Sequence, residues 1–345
     1  MTEVSIIGLD LAKHVFQVHA SAADGRKAFG KKLRRGEVLA FFAAQPACVV
    51  VMEACGGAHY WARQIEALGH KVRLIAPARV KAFVTRNKTD AADAEAICEA
   101  AVRPNMRFVP VKSEASQAQV TLLRTRQLLE KQRTQDINAL RGLMSEYGLV
   151  VPEGRRHVDT LISMIEDKEV GLAEEARVGL RALAATIEIL TQHLAELDSR
   201  IKASVKQNET ARRLMTIPGV GPMTAAFVLA LVPDPAIFRC GRDLSAWVGL
   251  TPLEHSSGGK QYLGHISKRG EKTLRRLVLL GAAAVVRQAI IKPPAPNSWL
   301  GKMLARKPRM VVITALANKI VRVIWALMAK GGVYHERAEV LAVQN

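Results

Sequence analysis

Cys48-Val-Val-Val-Met52-Glu53 is an apolar run that stops on a carboxylate, and Val4-Ser-Ile-Ile-Gly-Leu-Asp10 repeats the pattern nearer the start. Runs of this kind form central strands with both faces covered. A glutamate directly after Val49-Val50-Val51-Met52 therefore needs a reason. Around these two runs the alternation predicts strands at Val4–Leu9, Phe16–Ala20 and Lys27–Leu33, with Asp24-Gly25 turning the second into the third. A helix from Glu37, the strand Cys48–Met52, a helix from Ala58, a strand at Val72–Ala76 and an Ala-rich helix opened by Asp90 and Asp93 follow.

Three hairpin-connected strands followed by alternating helices and strands is the order of a ribonuclease H-like domain. That order makes the strands ending at Asp10 and Glu53 neighbours. Asp90 and Asp93 are three apart at a helix start, so both project to one face, and a helix N-terminus favours negative charge there. Capping explains one of them, not the pair. Four carboxylates so placed can hold two Mg²⁺ ions about 3.5–4 Å apart, clamping the attacking and leaving oxygens of a phosphodiester. Asp10, Glu53, Asp90 and Asp93 are accordingly the expected catalytic and metal-binding residues; the bland alternative is a set of caps and surface charges.

The chain of 345 residues exceeds the usual single core and should divide into two or three domains. A net charge of +19 points to a polyanionic partner, with nucleic acid foremost. Residues 211–345 hold 20 Lys and Arg against 6 Asp and Glu, so this part carries +14 and residues 1–210 only +5. Most of the phosphate affinity should lie there. Cys48, Cys55, Cys98 and Cys240 show no C-x-x-C pair and no disulfide spacing. The longest apolar run, Leu277–Val286, is too short to span a bilayer. A cytoplasmic protein that meets no membrane is expected. With 5% aromatic residues, base stacking is not expected to be the chief mode of single-strand binding.

From about Lys112 to Lys206 the chain reads as helical, with a break between Gly148 and Gly154 that contains Pro152. Leu180, Leu183, Ile187, Leu190, Leu194, Leu197 and Ile201 alternate steps of three and four, the seam of a coiled coil. That seam favours a dimerisation stalk between two chains, with an antiparallel hairpin within one chain as the alternative. The preceding helix offers Arg124, Arg126, Lys131, Arg133 and Arg141 to nucleic acid.

Ile217-Pro-Gly219-Val-Gly221-Pro is a tight turn feeding a helix, and it resembles a helix-hairpin-helix element whose backbone N–H groups suit a DNA phosphate. Farther on, His255-Ser256-Ser257-Gly-Gly-Lys260 is a flexible loop able to present a hydroxyl to a phosphate, with Lys260, Lys268 and Arg269 neutralising charge. Ser267-Lys-Arg-Gly-Glu-Lys-Thr-Leu-Arg-Arg276 reads as a phosphate-binding turn opening a helix, with Arg275 and Arg276 on its exposed side. A serine needs a base or metal to become nucleophilic. The loop is expected to supply no acid of its own, which leaves activation to the acids of the first domain or of a partner chain.

Ile-Gly-Leu-Asp10-Leu-Ala-Lys, Met-Glu53-Ala-Cys-Gly-Gly, Asn87-Lys-Thr-Asp90-Ala-Ala-Asp93-Ala, Ile-Pro-Gly-Val-Gly-Pro and His-Ser-Ser-Gly-Gly-Lys with Ile-Ser-Lys-Arg-Gly occur in this order. Together they resemble a DEDD-type bacterial insertion-sequence transposase of the family numbered one hundred and ten, eleven-eleven subgroup. The resemblance covers nearly the whole chain. It implies an α/β RuvC-like domain at 1–110, a helical coiled-coil region at 111–207, a mainly α-helical serine-bearing transposase domain at 208–332 and a tail at 333–345.

It also implies Mg²⁺ on Asp10, Glu53, Asp90 and Asp93, and a nucleophilic serine at Ser257 with Ser256 as the adjacent alternative. The partners implied are donor and target DNA, a noncoding bridge RNA that pairs with both, and a homodimer or tetramer through the coiled coil. Gly219, Gly221, Lys260, Lys268, Arg269, Arg275 and Arg276 are the expected nucleic-acid contacts. Two rivals stand beside this reading: a junction-resolving endonuclease that uses metal-activated water, and a nonenzymatic basic RNA- or DNA-binding protein.

Overall fold

A computed structural model describes residues 4–22, 24–84 and 89–335, which form two compact units, 1–115 and 116–345. Asn87 lies outside the described residues.

In the first unit the apolar runs become strands β1 (Ile6–Asp10), β2 (Val15–Ser21), β3 (Lys27–Arg34), β4 (Val49–Glu53), β5 (Lys71–Ile75) and β6 (Phe108–Val109), interleaved with helices α1 (Val38–Ala43), α2 (Ala58–Glu66), α3 (Pro77–Val80) and α4 (Asp90–Ala101). The strand order is β3-β2-β1-β4-β5-β6. β1 runs antiparallel to β2, from Ile6 opposite Ser21 to Asp10 opposite Gln17, and parallel to β4, from Ile6 opposite Val49 to Leu9 opposite Met52. The expected strands match to within a residue or two. The added strand, β6, is only two residues long.

Strand periodicity decides which face each side chain serves. Ile7, Leu9, Val50 and Met52 pack with Phe42, Trp61 and Ile65 under α1 and α2. Ile6 and Val51, of the opposite parity, pack with Ile97, Cys98 and Ala101 of α4. Asp10 and Glu53 share the parity of Ile6 and Val51, so both belong to the face that α4 covers. Gly8 sets how closely α4 approaches: a Cβ there would lie 2.4 Å from the Ala94 carbonyl oxygen and 2.7 Å from Cys98 Sγ. The Cys98 thiol donates to the His19 carbonyl at 3.3 Å, and burial pushes its pKa up to about 11, so this cysteine is a packing residue.

The second unit is helical: α5 (Glu114–Ser145, entered from the first unit), α6 (Val158–Glu166), α7 (Glu174–Gln207), α8 (Glu209–Met215), α9 (Pro222–Leu231), α10 (Gly241–Val248), α11 (Lys272–Ile291), α12 (Trp299–Arg306) and α13 (Arg309–Lys330), plus the hairpin β7 (Pro252–Glu254) and β8 (Leu263–Ile266). α5 and α7 lie antiparallel. Arg126 meets Asp198 at 2.7 Å and Arg133 donates to Thr191 Oγ1 at 3.3 Å, so residue numbers fall on one helix as they rise on the other.

The heptad seam is occupied within the chain. Leu180 and Ile187 pack with Ile137, Leu140 and Met144 of α5 and with Leu161 and Ile165 of α6, while Ile201 joins the core farther along. Of the two arrangements the heptad permits, the intramolecular hairpin is the one seen. Three of the arginines expected to face nucleic acid are also engaged internally. Arg126 binds Glu130 and Asp198, Arg133 is buried, and Arg141 donates to the carbonyls of Val151, Pro152 and Gly154, bracing the Gly148–Gly154 break.

α8 to α13 enclose one core through Leu214, Val228, Val248, Val278, Ile320 and Ile324. Among the described residues, the helix long and apolar enough to cross a membrane, by length and composition, is α13, with a mean hydropathy of 1.8, rather than the run Leu277–Val286. Its apolar content has a local use: Val312, Ile313, Ile320, Val321 and Ile324 are buried against this core.

Candidate functional site

On the first unit, β1 and β4 end side by side and α4 begins over the same face. Thr89 caps α4, its Oγ1 accepting from the Ala92 N–H at 3.2 Å, so Asp90 and Asp93 are free of the capping role. Asp10, Glu53 and Asp93 are half-buried and Asp90 is exposed. The Asp10 carboxyl is raised from 3.8 to about 6, first by burial and then by the charges of Asp93, Asp90 and Glu53, against the opposing backbone N–H of Leu11. The structure thus brings all four expected acids into one electrostatic neighbourhood.

Hard oxygen donors of this kind suit Mg²⁺, Mn²⁺ or Ca²⁺. Among the described residues, no three His, Cys, Asp or Glu side chains are gathered at the spacing of a metal site. The donor set fits a hard divalent cation in chemistry and neighbourhood, and ligation would need the four acids to draw closer together.

On the second unit, Ser257 and Lys260 close the tip of the β7–β8 hairpin. Gly258 and Gly259 stand at φ 56° and 74°, and Lys260 N–H donates to the Ser257 carbonyl at 3.0 Å. Two consecutive positive φ values make this a type I′ turn, which favours a pair such as Gly-Gly. Ser256 and Ser257 are both exposed but differ in surroundings. The Ser256 hydroxyl donates to Glu254 Oε1 at 2.8 Å and accepts from the Tyr262 N–H at 3.2 Å. The loop thus has an acid beside it after all. The signal in the sequence is the spacing: Glu254, the last residue of β7, stands two before Ser256.

Lys260, Lys268, Arg269 and Arg276 are exposed as expected. Arg275 is not. It is 9% exposed and points inward, its guanidinium donating to the Val248 carbonyl at 2.7 Å and the Arg269 carbonyl at 3.2 Å. The expectation that it shares the exposed side with Arg276 is corrected: Arg275 ties together the two ends of the segment that carries the serines. That tie needs close backbones, and a Cβ on Gly249 would fall 2.0 Å from the Arg269 carbonyl oxygen.

Gly219 and Gly221 lie in the turn between α8 and α9, with Gly221 at the N-cap of α9 and Pro222 at its first position. Gly219 adopts φ 88° and packs against α11: a Cβ on it would lie 2.8 Å from the Gly281 carbonyl oxygen. Its glycine identity is fully accounted for by this packing. Gly221, by contrast, is exposed and opens the helix.

Residues 7–149 match the transposase family described as DEDD_Tnp_IS110, and residues 211–295 match the one described as "Transposase IS116/IS110/IS902 family". A "Probable family 20 transposase" of Pseudomonas aeruginosa is 45% identical over 333 residues, covering 96% of this chain and 98% of that protein. The "Transposase for insertion sequence element IS1111A" of Coxiella burnetii is 38% identical over 335 residues, covering 97% and 92%. A "Pilin gene-inverting protein" of Moraxella lacunata is 22% identical over 299 residues, covering 84% and 82%. With an acid-bearing α/β unit, a helical unit and two full-length relatives above 30% identity, the chain belongs to the IS110/IS116/IS902 family of insertion-sequence transposases.

Proposed function

We propose that this transposase cuts and rejoins DNA strands by a serine nucleophile working with Mg²⁺-binding acids, and that its acid-bearing unit is a RuvC-like, ribonuclease H-like domain. The electrostatic neighbourhood shared by Asp10 and Glu53, at the ends of β1 and β4, and Asp90 and Asp93, at the start of α4, carries the proposal. The strand order, with parallel β1, β4 and β5 flanked by antiparallel β2 and β3, supports the domain assignment. The division at 1–110, 111–207, 208–332 and 333–345 belongs to the same proposal.

Mg²⁺, when bound, would stabilise charge on the scissile phosphate and lower the cost of forming an alkoxide nearby. The chain supplies the rest. Asp10, Glu53, Asp90 and Asp93 would hold the cations beside the phosphate. Ser257, at the tip of the type I′ turn, attacks phosphorus: a bond forms from Oγ to phosphorus, a phosphorus–sugar oxygen bond breaks, the serine proton passes to a base and the leaving sugar oxygen takes up a proton. The phosphoserine link keeps the phosphodiester energy, and attack by a second sugar hydroxyl releases the serine and joins the new strands.

The hydrogen bond from Ser256 to Glu254 favours a second reading, in which Ser256 is the nucleophile and Glu254 its base. Guidance by a noncoding bridge RNA and action as a dimer or tetramer complete the proposal. The +14 charge of residues 211–345 supports the nucleic-acid partners.

The deciding experiment is a denaturing gel of labelled substrate DNA incubated with Mg²⁺ and the full chain. A protein-linked band that disappears in Ser257→Ala supports the first reading. A band that persists in Ser257→Ala and is lost in Ser256→Ala moves the role to Ser256. Cleavage with no protein-linked band would establish the water-using endonuclease reading instead.

A further inference from the structure

Residues 272–335 hold 12 Lys and Arg and no Asp or Glu. Part of this charge converges on a cavity of about 610 Å³ between α10, α12 and α13, lined by Arg242, Trp299, Asn318, Lys319, Arg322 and Trp325 among others. The volume lies within the range of about 300–1,000 Å³ usual for ligand pockets. α10 and α13 cross at its rim, where a Cβ on Gly241 would lie 3.0 Å from the Arg322 Cα. Arg242 and Arg322 therefore flank one opening.

The walls are fixed. Trp325 Nε1 donates to the carbonyls of Pro235 and Phe238, at 3.2 Å each, and Lys319 Nζ lies 4.5 Å from the centroid of the Trp299 ring. Among the described residues, no carboxylate lines the cavity. Asp243, close by in sequence, pairs with Arg239 at 2.9 Å. Three cations on one concave surface repel one another and focus a positive potential into it. An anion is the complementary occupant.

Two indoles beside three cations narrow the choice. A duplex meets a protein over its outer surface, whereas an unstacked nucleotide can place its phosphate against cations and its base against an aromatic wall. We infer that this cavity binds a nucleotide of a single-stranded nucleic acid, with Arg242, Lys319 and Arg322 on the phosphate and the Trp299 and Trp325 indoles beside the base.

The cavity also touches the serine-bearing segment. Asn318, in its wall, donates through Nδ2 to the Leu250 carbonyl at 3.1 Å, just before β7. A strand threaded through the cavity is thus held next to the root of the hairpin that ends in Ser257. Displaced DNA and guide RNA share the chemistry required.

The test measures binding of a short single-stranded DNA, its RNA counterpart and the DNA duplex to the full chain across a salt series. Each cation withdrawn from a phosphate of a single strand lowers the slope of log affinity against log salt by about 0.7. Arg242→Ala and Arg322→Ala should each weaken single-strand binding severalfold and flatten the slope, and Trp299→Leu should weaken binding without changing the slope. Arg242→Gln and Arg322→Gln serve if the alanine variants unfold. Arg200→Ala, on α7 and paired with Glu196 at 3.3 Å, removes one charge elsewhere and should leave the slope unchanged.

Weakening confined to DNA assigns the cavity to a displaced strand, weakening confined to RNA assigns it to a guide, and weakening with both assigns it to either. Unchanged slopes in folded variants would overturn the inference, as would an equal weakening on duplex, which would mark general surface attraction. Strand cleavage by the same variants, read on a separate substrate, keeps failure of this site apart from failure of the transposase chemistry.

Discussion

The Ser256 hydroxyl donates to Glu254 at 2.8 Å, while its neighbour Ser257 takes the first position of the type I′ turn. Two adjacent serines thus have different jobs available. If Ser257 is the nucleophile, Glu254→Gln should leave the protein-linked DNA band in place and reduce its rate of formation by less than about tenfold. If Ser256 is, the same change removes its base and should cost roughly 10²–10⁴ in rate. Single-turnover adduct formation with Glu254→Gln distinguishes the two.

Asp10→Asn and Glu53→Gln should each abolish strand cleavage while leaving DNA affinity nearly intact. Chelation of divalent ions should have the same effect on the unaltered chain, reversed by added Mg²⁺. Cleavage in the presence of excess chelator would remove the cation from the proposed chemistry.

Asp10 gives a stability prediction independent of activity. Its carboxyl titrates near 6 in the folded chain against 3.8 ordinarily, so the folded state holds this proton more tightly. The resulting stabilisation is fully present below pH 3.8 and is lost as pH rises through 6. In chelator, Asp10→Asn should therefore be more stable than the unaltered chain at pH 8 by about 1–2 kcal/mol, a figure reduced for solvent screening of a half-buried group, with the gap closing toward about pH 4. Urea unfolding of both proteins at several pH values measures it.

Gly8→Ala should destabilise the first unit by about 1–3 kcal/mol, because the new methyl meets the Ala94 carbonyl and Cys98 Sγ and forces α4 outward. The same displacement carries Asp93 away from Asp10. Cleavage should fall more than stability explains, and assays well below the unfolding midpoint would show it.

Arg275→Ala leaves the buried Val248 carbonyl without its donor, a destabilisation of about 1–3 kcal/mol. It also frees the two ends of the serine segment. Adduct formation should slow, whereas the pH dependence of stability set by Asp10 should be unchanged.

The first unit is legible in the sequence because two patterns agree there. Apolar runs mark β1 and β4, and period two puts Asp10 and Glu53 on the face that α4 covers. β6 gives no signal, since two residues have no period. Arg275 shows the converse. Charge suggests an exposed side, yet it stands three before Val278 and seven before Ala282, both buried, so helical period already turns it inward. In the heptad of α7 the apolar stripe is clear, but a stripe does not name its partner. The arginines of α5 are visible as charges, and only geometry shows which of them meet carboxylates and carbonyls of the chain itself.

The antiparallel helices α5 and α7 have 32 and 34 residues. At about 1.5 Å per residue each is a rod of roughly 50 Å, the axial length of about fifteen base pairs of duplex. A rod closed on itself by its own leucines keeps its length under load. Residues 146–173, with α6 folded back against both helices, are therefore carried at a fixed distance from the base, and deleting matched heptads between that packing and the base would shorten the distance in steps of about 10 Å.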